Sequence, residues 1–213
     1  YSNVLERMRM QLDQRLRDSR DLGFVPEALA WQISEGTTLY ELARASSNDY
    51  QQSRLIKAAS QVGQGTENEL LANLAHDDPG VRYWGAIGLS AAKSLSQEAV
   101  DSLIEALDDE VPNARIEGAN ALARHGRFGK SISTLADALE GENLAAVQHA
   151  ARAIELLGEK ALAALPAVVA CDARMKAIRS PGTSPLDVDP EKDKAMFVAF
   201  CTEAFLKRFG SNE

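Results

Sequence analysis

The chain has 213 residues, 45% of them hydrophobic, 25% charged and 6% aromatic, with a net charge of −8. This length suits one medium α-domain or a short repeat array, and the acidity withholds the basic footprint that a nucleic-acid binder needs. No run of about 18 apolar residues is present to cross a membrane.

Ala and Leu dominate, and Val and Ile never alternate in runs, so helices are expected and strands are not. The first residue is Tyr1 rather than Met, which reads as a fragment or processed chain. Residues from Ser2 to about Arg20 form one amphipathic helix, with Leu5, Met8, Leu12 and Leu16 on a single stripe. Gly23 and Pro26 punctuate the chain, and Pro26 suits a first helical position because it has no amide proton to leave unpaired. A short helix from Pro26 to about Glu35 then buries Leu29 and Ile33, with Trp31 alongside. Thr38 with Glu41, and Thr66 with Glu69, fit capping boxes and mark two helix starts.

From about Tyr50 to Met175 the chain repeats itself. Val81 to Leu89 overlays Ala114 to Leu122 at an offset of 33, so that Gly85 meets Gly118. A further shift of 32 brings Ala150 to the same place, and Gly126 and Gly158 coincide as helix ends. The stretches Leu70–Leu74, Leu103–Leu107 and Leu135–Leu139 repeat with the same offsets. Two segments sharing one period define a unit of two antiparallel helices, too small to form a core alone and stable when stacked. The expected fold is therefore an all-α, HEAT/armadillo-like α-α superhelix of about four helix pairs, at about 50–76, 77–108, 109–140 and 141–175. Gly85, Gly118 and Ala150 line its seam as small residues that let helices approach. Residues 1–49 form an N-terminal helical segment and 50–175 the repeats. Residues 176–190, rich in proline, form a loop, and 191–213 a C-terminal capping helix. There Phe197, Phe200, Cys201, Ala204 and Phe205 make a stripe expected to bury against the last repeat or a partner.

Chemistry-bearing patterns are sparse. His76, His125 and His149 have no paired-ligand spacing, Cys171 and Cys201 have no CxxC partner, and no metal or cofactor is expected. The acidic groups Asp77-Asp78 and Asp108-Asp109-Glu110 recur once per unit and read as caps for the next helix. Arg82 and Arg115 share a repeat position and suit a ladder of arginines bridging neighbouring turns, with a ligand-facing role as the alternative. Tyr83 and Trp84 point about 100° apart on one helix, so one of them is expected to face a groove. Arg82, Tyr83, Trp84 and Arg115 are the candidate groove residues.

Residues 77–89, DDPGVRYWGAIGL, resemble HEAT repeats. The tract from Gly158 to Ala161, and on through Leu165 to Ala167, is similar to the turn between HEAT helices. Tyr1 to Arg9 with Leu12-Asp13 resembles the closing helix of arylsulfatase-type sulfatases, and Arg20 to Glu27 resembles the link from that helix to a HEAT-like tail. This resemblance implies a non-catalytic tail bracing the catalytic domain of a sulfuric ester hydrolase or mediating protein interaction, with a periplasmic or secreted location. Cys171-Asp172-Ala173-Arg174-Met175 and Cys201-Thr202-Glu203-Ala204-Phe205 lack the sulfatase signature, so no activity is expected of this chain. The alternatives are a free-standing, cytoplasmic HEAT adaptor for a protein partner, and an enzyme on a HEAT scaffold resembling the bilin-lyase group. The oligomeric state stays open.

Overall fold

The computed structural model describes residues 1–20, 22–45, 52–179 and 190–210. Among these residues every regular element is helical. Three elements precede the repetitive part, α1 (Ser2–Ser19), α2 (Glu27–Ile33) and α3 (Leu39–Leu42), and α4 (Gln52–Ser60) opens it. The array continues through α5 (Glu67–Leu74), α6 (Pro79–Ser90), α7 (Gln97–Glu105), α8 (Pro112–Arg124), α9 (Gly129–Ala138), α10 (Leu144–Leu157), α11 (Leu165–Ile178) and α12 (Pro190–Phe209). Short 3₁₀ turns at Ala106–Asp108 and Gly158–Ala164 follow α7 and α10.

The first helices of successive units stack on one another, α4 on α6, α6 on α8, α8 on α10 and α10 on α12. The second helices form the other layer, and one continuous core runs between the two. Leu89, Leu103, Ile116, Leu122, Leu135, Ile154, Met175 and Phe205 are each buried to within 2% of full enclosure. This is an all-α superhelix. No helix among the described residues is long and apolar enough to cross a membrane.

Local chemistry sets the boundaries. Thr38 and Thr66 both close capping boxes, each hydroxyl accepting the third amide while Glu41 or Glu69 reaches back. The Asp78 carboxylate accepts from the amides of Gly80 and Val81, and Pro79 follows at the first helical position. Gly126 ends α8 at φ 80°, where Arg127 N–H reaches back to the Leu122 carbonyl at 2.9 Å.

Four expectations change. Pro26 is the N-cap of α2 rather than its first helical residue, with extended backbone angles. The acids before α8 do not cap it: Val111 stands at the N-cap and contributes no side-chain bond. The apolar stripe of α12 is rotated. Ala195, Val198, Ala199, Thr202 and Phe205 face the core with Cys201, whereas Phe197 and Phe200 are 48% and 54% exposed. Finally, α1 buries none of its residues. The proline-rich loop expected within 176–190 falls largely on 180–189, outside the described residues, as do Tyr50 and residues 211–213 at the expected outer edges.

Residues 22–33 lie across the stack. Leu22, Val25, Leu29 and Ala30 form a second apolar cluster with Ala43, Leu55, Ala58 and Val81. Helix α2 then runs on against α8 and α10.

Candidate functional site

At Gly85, α6 passes so close to α5 that an added Cβ would lie 2.5 Å from the Leu74 nitrogen. At Gly118 the added atom would meet the Ala106 Cβ at 3.2 Å. Ala150, at the matching position of α10, is fully buried.

The residue just before each of these is polar or amphipathic. Trp84, Glu117 and His149 therefore occupy one repeat position on three successive helices, α6, α8 and α10. Glu117 is only 5% exposed, and its carboxylate accepts from His149 Nε2 at 2.9 Å and Asn120 Nδ2 at 3.0 Å. One turn earlier on the same face, Asn113 is 4% exposed and its Oδ1 has no hydrogen-bond partner. Burial without a partner costs such an acceptor about 1–3 kcal/mol, so this face carries an unmet demand for a donor.

Tyr83 adds an aromatic wall. Its ring meets His149 edge-on at 5.8 Å and Trp84 at 5.4 Å. Burial, and then the nearby Glu117 charge, push its phenol up to about 12. The hydroxyl therefore stays protonated well beyond the ordinary phenol range.

Residues 22–33 cover this row and are clamped at three points. Trp84 Nε1 donates to the Phe24 carbonyl at 2.8 Å, and Asn143 Nδ2 to that of Ala28 at 3.2 Å. Lys194 Nζ sits 3.3 Å above the centre of the Trp31 ring, a cation–π contact. The clamps come from α6, α10 and α12, so the segment ties the array together along its length.

The structure separates the four groove residues nominated from sequence. Tyr83 and Trp84 belong to this row. Arg82 and Arg115 turn to the inter-unit turn at Asp109. Arg82 holds the Asp109 carboxylate bidentately at 2.7 and 3.0 Å, and its remaining nitrogen donates to the carbonyls of His76 and Asp77. The Asp109 bond keeps the guanidinium above its ordinary range. Arg115 donates to the Asp109 carbonyl at 2.5 Å and lines a cleft of about 370 Å³ between α8, α9 and α10. Arg82 thus fastens its unit to the next, whereas Arg115 ties back to the turn that opens its own unit.

Glu117, His149 and Asn113 were missed from sequence. The repeat period held the signal for the first two, since they align with Trp84 at offsets of 33 and 32. Cys171 and Cys201 are buried and free, and burial raises both thiols, Cys201 to about 11.

The row therefore presents a carboxylate with a histidine donor, an unsatisfied amide acceptor and two aromatic rings, all on one face of a helical-repeat protein. No family model matches the chain. The chain is similar to the phycocyanobilin lyase subunit alpha of Nostoc sp. strain PCC 7120, at 32% identity over 96 residues. The match spans 42% of this chain and 35% of that protein, so the chain covers about a third of the length of its curated relative. This finding overturns the sulfatase resemblance of residues 1–9 and 20–27, because the matched protein is a lyase subunit and nothing links the chain to a sulfatase. The sulfuric ester hydrolase parent and the reading of the chain as a non-catalytic tail fall with it. So does the periplasmic or secreted location that rested on the resemblance.

Proposed function

We propose that this chain is a helical-repeat protein of the bilin-lyase type, which holds a linear tetrapyrrole on the first-helix face and passes it to a protein partner. The Trp84–Glu117–His149 row carries the reading. A linear tetrapyrrole presents pyrrole N–H donors along a flat conjugated system. The Glu117 carboxylate and the Asn113 Oδ1, both buried in this structure, become acceptors for such donors once the 22–33 cover is displaced, and Tyr83 and Trp84 then supply aromatic faces for the rings. The Glu117–His149 pair also gives a route for a proton to reach or leave a pyrrole nitrogen. The matched lyase subunit, whose name specifies phycocyanobilin, supports the choice of ligand class. In this reading residues 50–175 are the scaffold, 1–49 contribute the cover over the row, and 191–213 close the array.

The test is titration of the purified chain with phycocyanobilin, followed by visible absorbance and by quenching of tryptophan fluorescence. Saturable binding is expected, with Glu117→Gln weakening it about tenfold, the equivalent of about 1.4 kcal/mol. Transfer is read separately, as covalent pigment on an acceptor protein after denaturing electrophoresis. A wild-type chain that binds no bilin, or one whose binding is indifferent to Glu117→Gln, refutes the proposal.

A further inference from the structure

Helix α1 stands apart from the solenoid it precedes. Most of a helix's stability in a protein comes from packing of its apolar face. Here Leu5, Met8 and Leu12 remain 51%, 60% and 59% exposed, and no residue of α1 is buried. Among the described residues, hydrogen bonds from Arg44 to the Ser19 carbonyl and from Gln52 to the Leu16 carbonyl tie its C-terminal end to the body. The stripe itself is left open.

Charge on α1 indicates what closes it. At about 100° per residue, Arg9 and Arg15 fall roughly 60° to either side of the stripe, while Glu6, Asp13 and Asp18 lie more than about 100° away. Residues 2–20 hold five arginines against three acids, in a chain whose net charge is −8. An apolar stripe bordered by arginine fits an apolar groove with an acidic rim. Pairing of α1 with a second α1 is disfavoured, because it sets the flanking arginines of the two helices against each other.

The same molecule carries a groove of the required kind. Between α5 and α7 lies a cleft of about 250 Å³, floored by Leu71, Leu74 and Ala106 and rimmed by Glu105, Asp108 and Asp109. None of its described lining residues is basic. Asp109 is held by Arg82, and Asp108 meets Lys130 at 3.1 Å in an exposed pair. Such a pair is worth about 0–1 kcal/mol, so an incoming arginine can displace it, and Glu105 is exposed beside it.

We propose that α1 docks into the α5–α7 groove of a second copy of this chain, with Leu5, Met8 and Leu12 on the floor and Arg9 and Arg15 at the rim. This is helix-in-groove recognition. Each copy offers one helix and one groove, so reciprocal docking closes a two-fold dimer and doubles the contact. The inference is independent of any bilin.

The 213-residue chain is tested by sedimentation equilibrium across the micromolar range. A monomer–dimer equilibrium is expected that weakens as salt rises. Arg9→Glu with Arg15→Glu should raise the dissociation constant about tenfold or more, and so should Glu105→Arg with Asp108→Arg. Combining both pairs in one chain should restore association, because each reversed helix then meets a reversed groove. Circular dichroism checks that every variant keeps the helical content of the wild type. A monomer at all concentrations overturns the proposal, and so does a dimer that ignores these reversals or a combined variant that fails to recover.

Discussion

Gly85 and Gly118 occupy the same repeat position but face different neighbours. A methyl group at Gly85 runs into the α5 backbone at Leu74, which cannot give way without moving the helix. At Gly118 the nearest atom is the Ala106 side chain at 3.2 Å, and a small shift relieves it. Gly85→Ala is therefore expected to cost about 1–3 kcal/mol, the usual range for overpacking, and Gly118→Ala clearly less. Urea denaturation of the two variants measures the difference, and equal costs would contradict this account of the seam. Position alone led the sequence to treat both glycines alike; only the distances rank them. Glu117 and His149 show the converse. Their alignment with Trp84 was available from the period, but burial and the 2.9 Å contact gave it meaning.

At the scale of elements, Asn143 joins two functions in one side chain. Its Oδ1 caps α10 by accepting from Ala145 and Ala146, and its Nδ2 clamps the covering segment through the Ala28 carbonyl. Asn143→Asp keeps the cap and loses the clamp donor, whereas Asn143→Ala loses both. The alanine variant should lose about 1–2 kcal/mol of stability, mostly from the cap. Hydrogen exchange should quicken in residues 24–33 in both variants, but at the start of α10 in the alanine variant alone. Protection of residues 24–33 unchanged in both would remove Asn143 from the clamp. Helix α1 illustrates how short patterns mislead. Its leucine, methionine and arginine spacing is what any amphipathic helix requires, and the likeness of Tyr1 to Arg9 with Leu12-Asp13, and of Arg20 to Glu27, to a sulfatase is left without support. Helix α12 shows a related error. Five apolar residues at helical spacing left its rotation open, and packing against α10 and α11 chose the face carrying Phe205 and exposed Phe197 and Phe200.

On the scale of the molecule, each unit is stable only through its neighbours, so the ends of the array carry unusual weight. Phe205 is 1% exposed and belongs to the continuous core at the α12 end. Phe205→Ala should cost about 3–5 kcal/mol. Because the loss falls at one end, thermal unfolding should broaden, with α11 and α12 opening before α6 and α8. Site-resolved hydrogen exchange distinguishes this from uniform destabilisation.

The helical class, the period of 32–33 residues and the caps at Thr38, Thr66 and Asp78 were legible in the sequence, because near-neighbour geometry governs them and local residue types report it directly. The course of residues 22–33 over the first-helix face was not, nor was the gathering of Tyr83, Trp84, Glu117 and His149 beneath them. The Glu117–His149 contact spans 32 positions, one repeat, but the covering segment is joined to the row by residues 60 or more positions apart, as in the bonds from Trp84 to Phe24 and from Asn143 to Ala28. No local pattern encodes a contact at that separation; it follows from how the stacked units dispose their free faces and which segment is long and apolar enough to cover them.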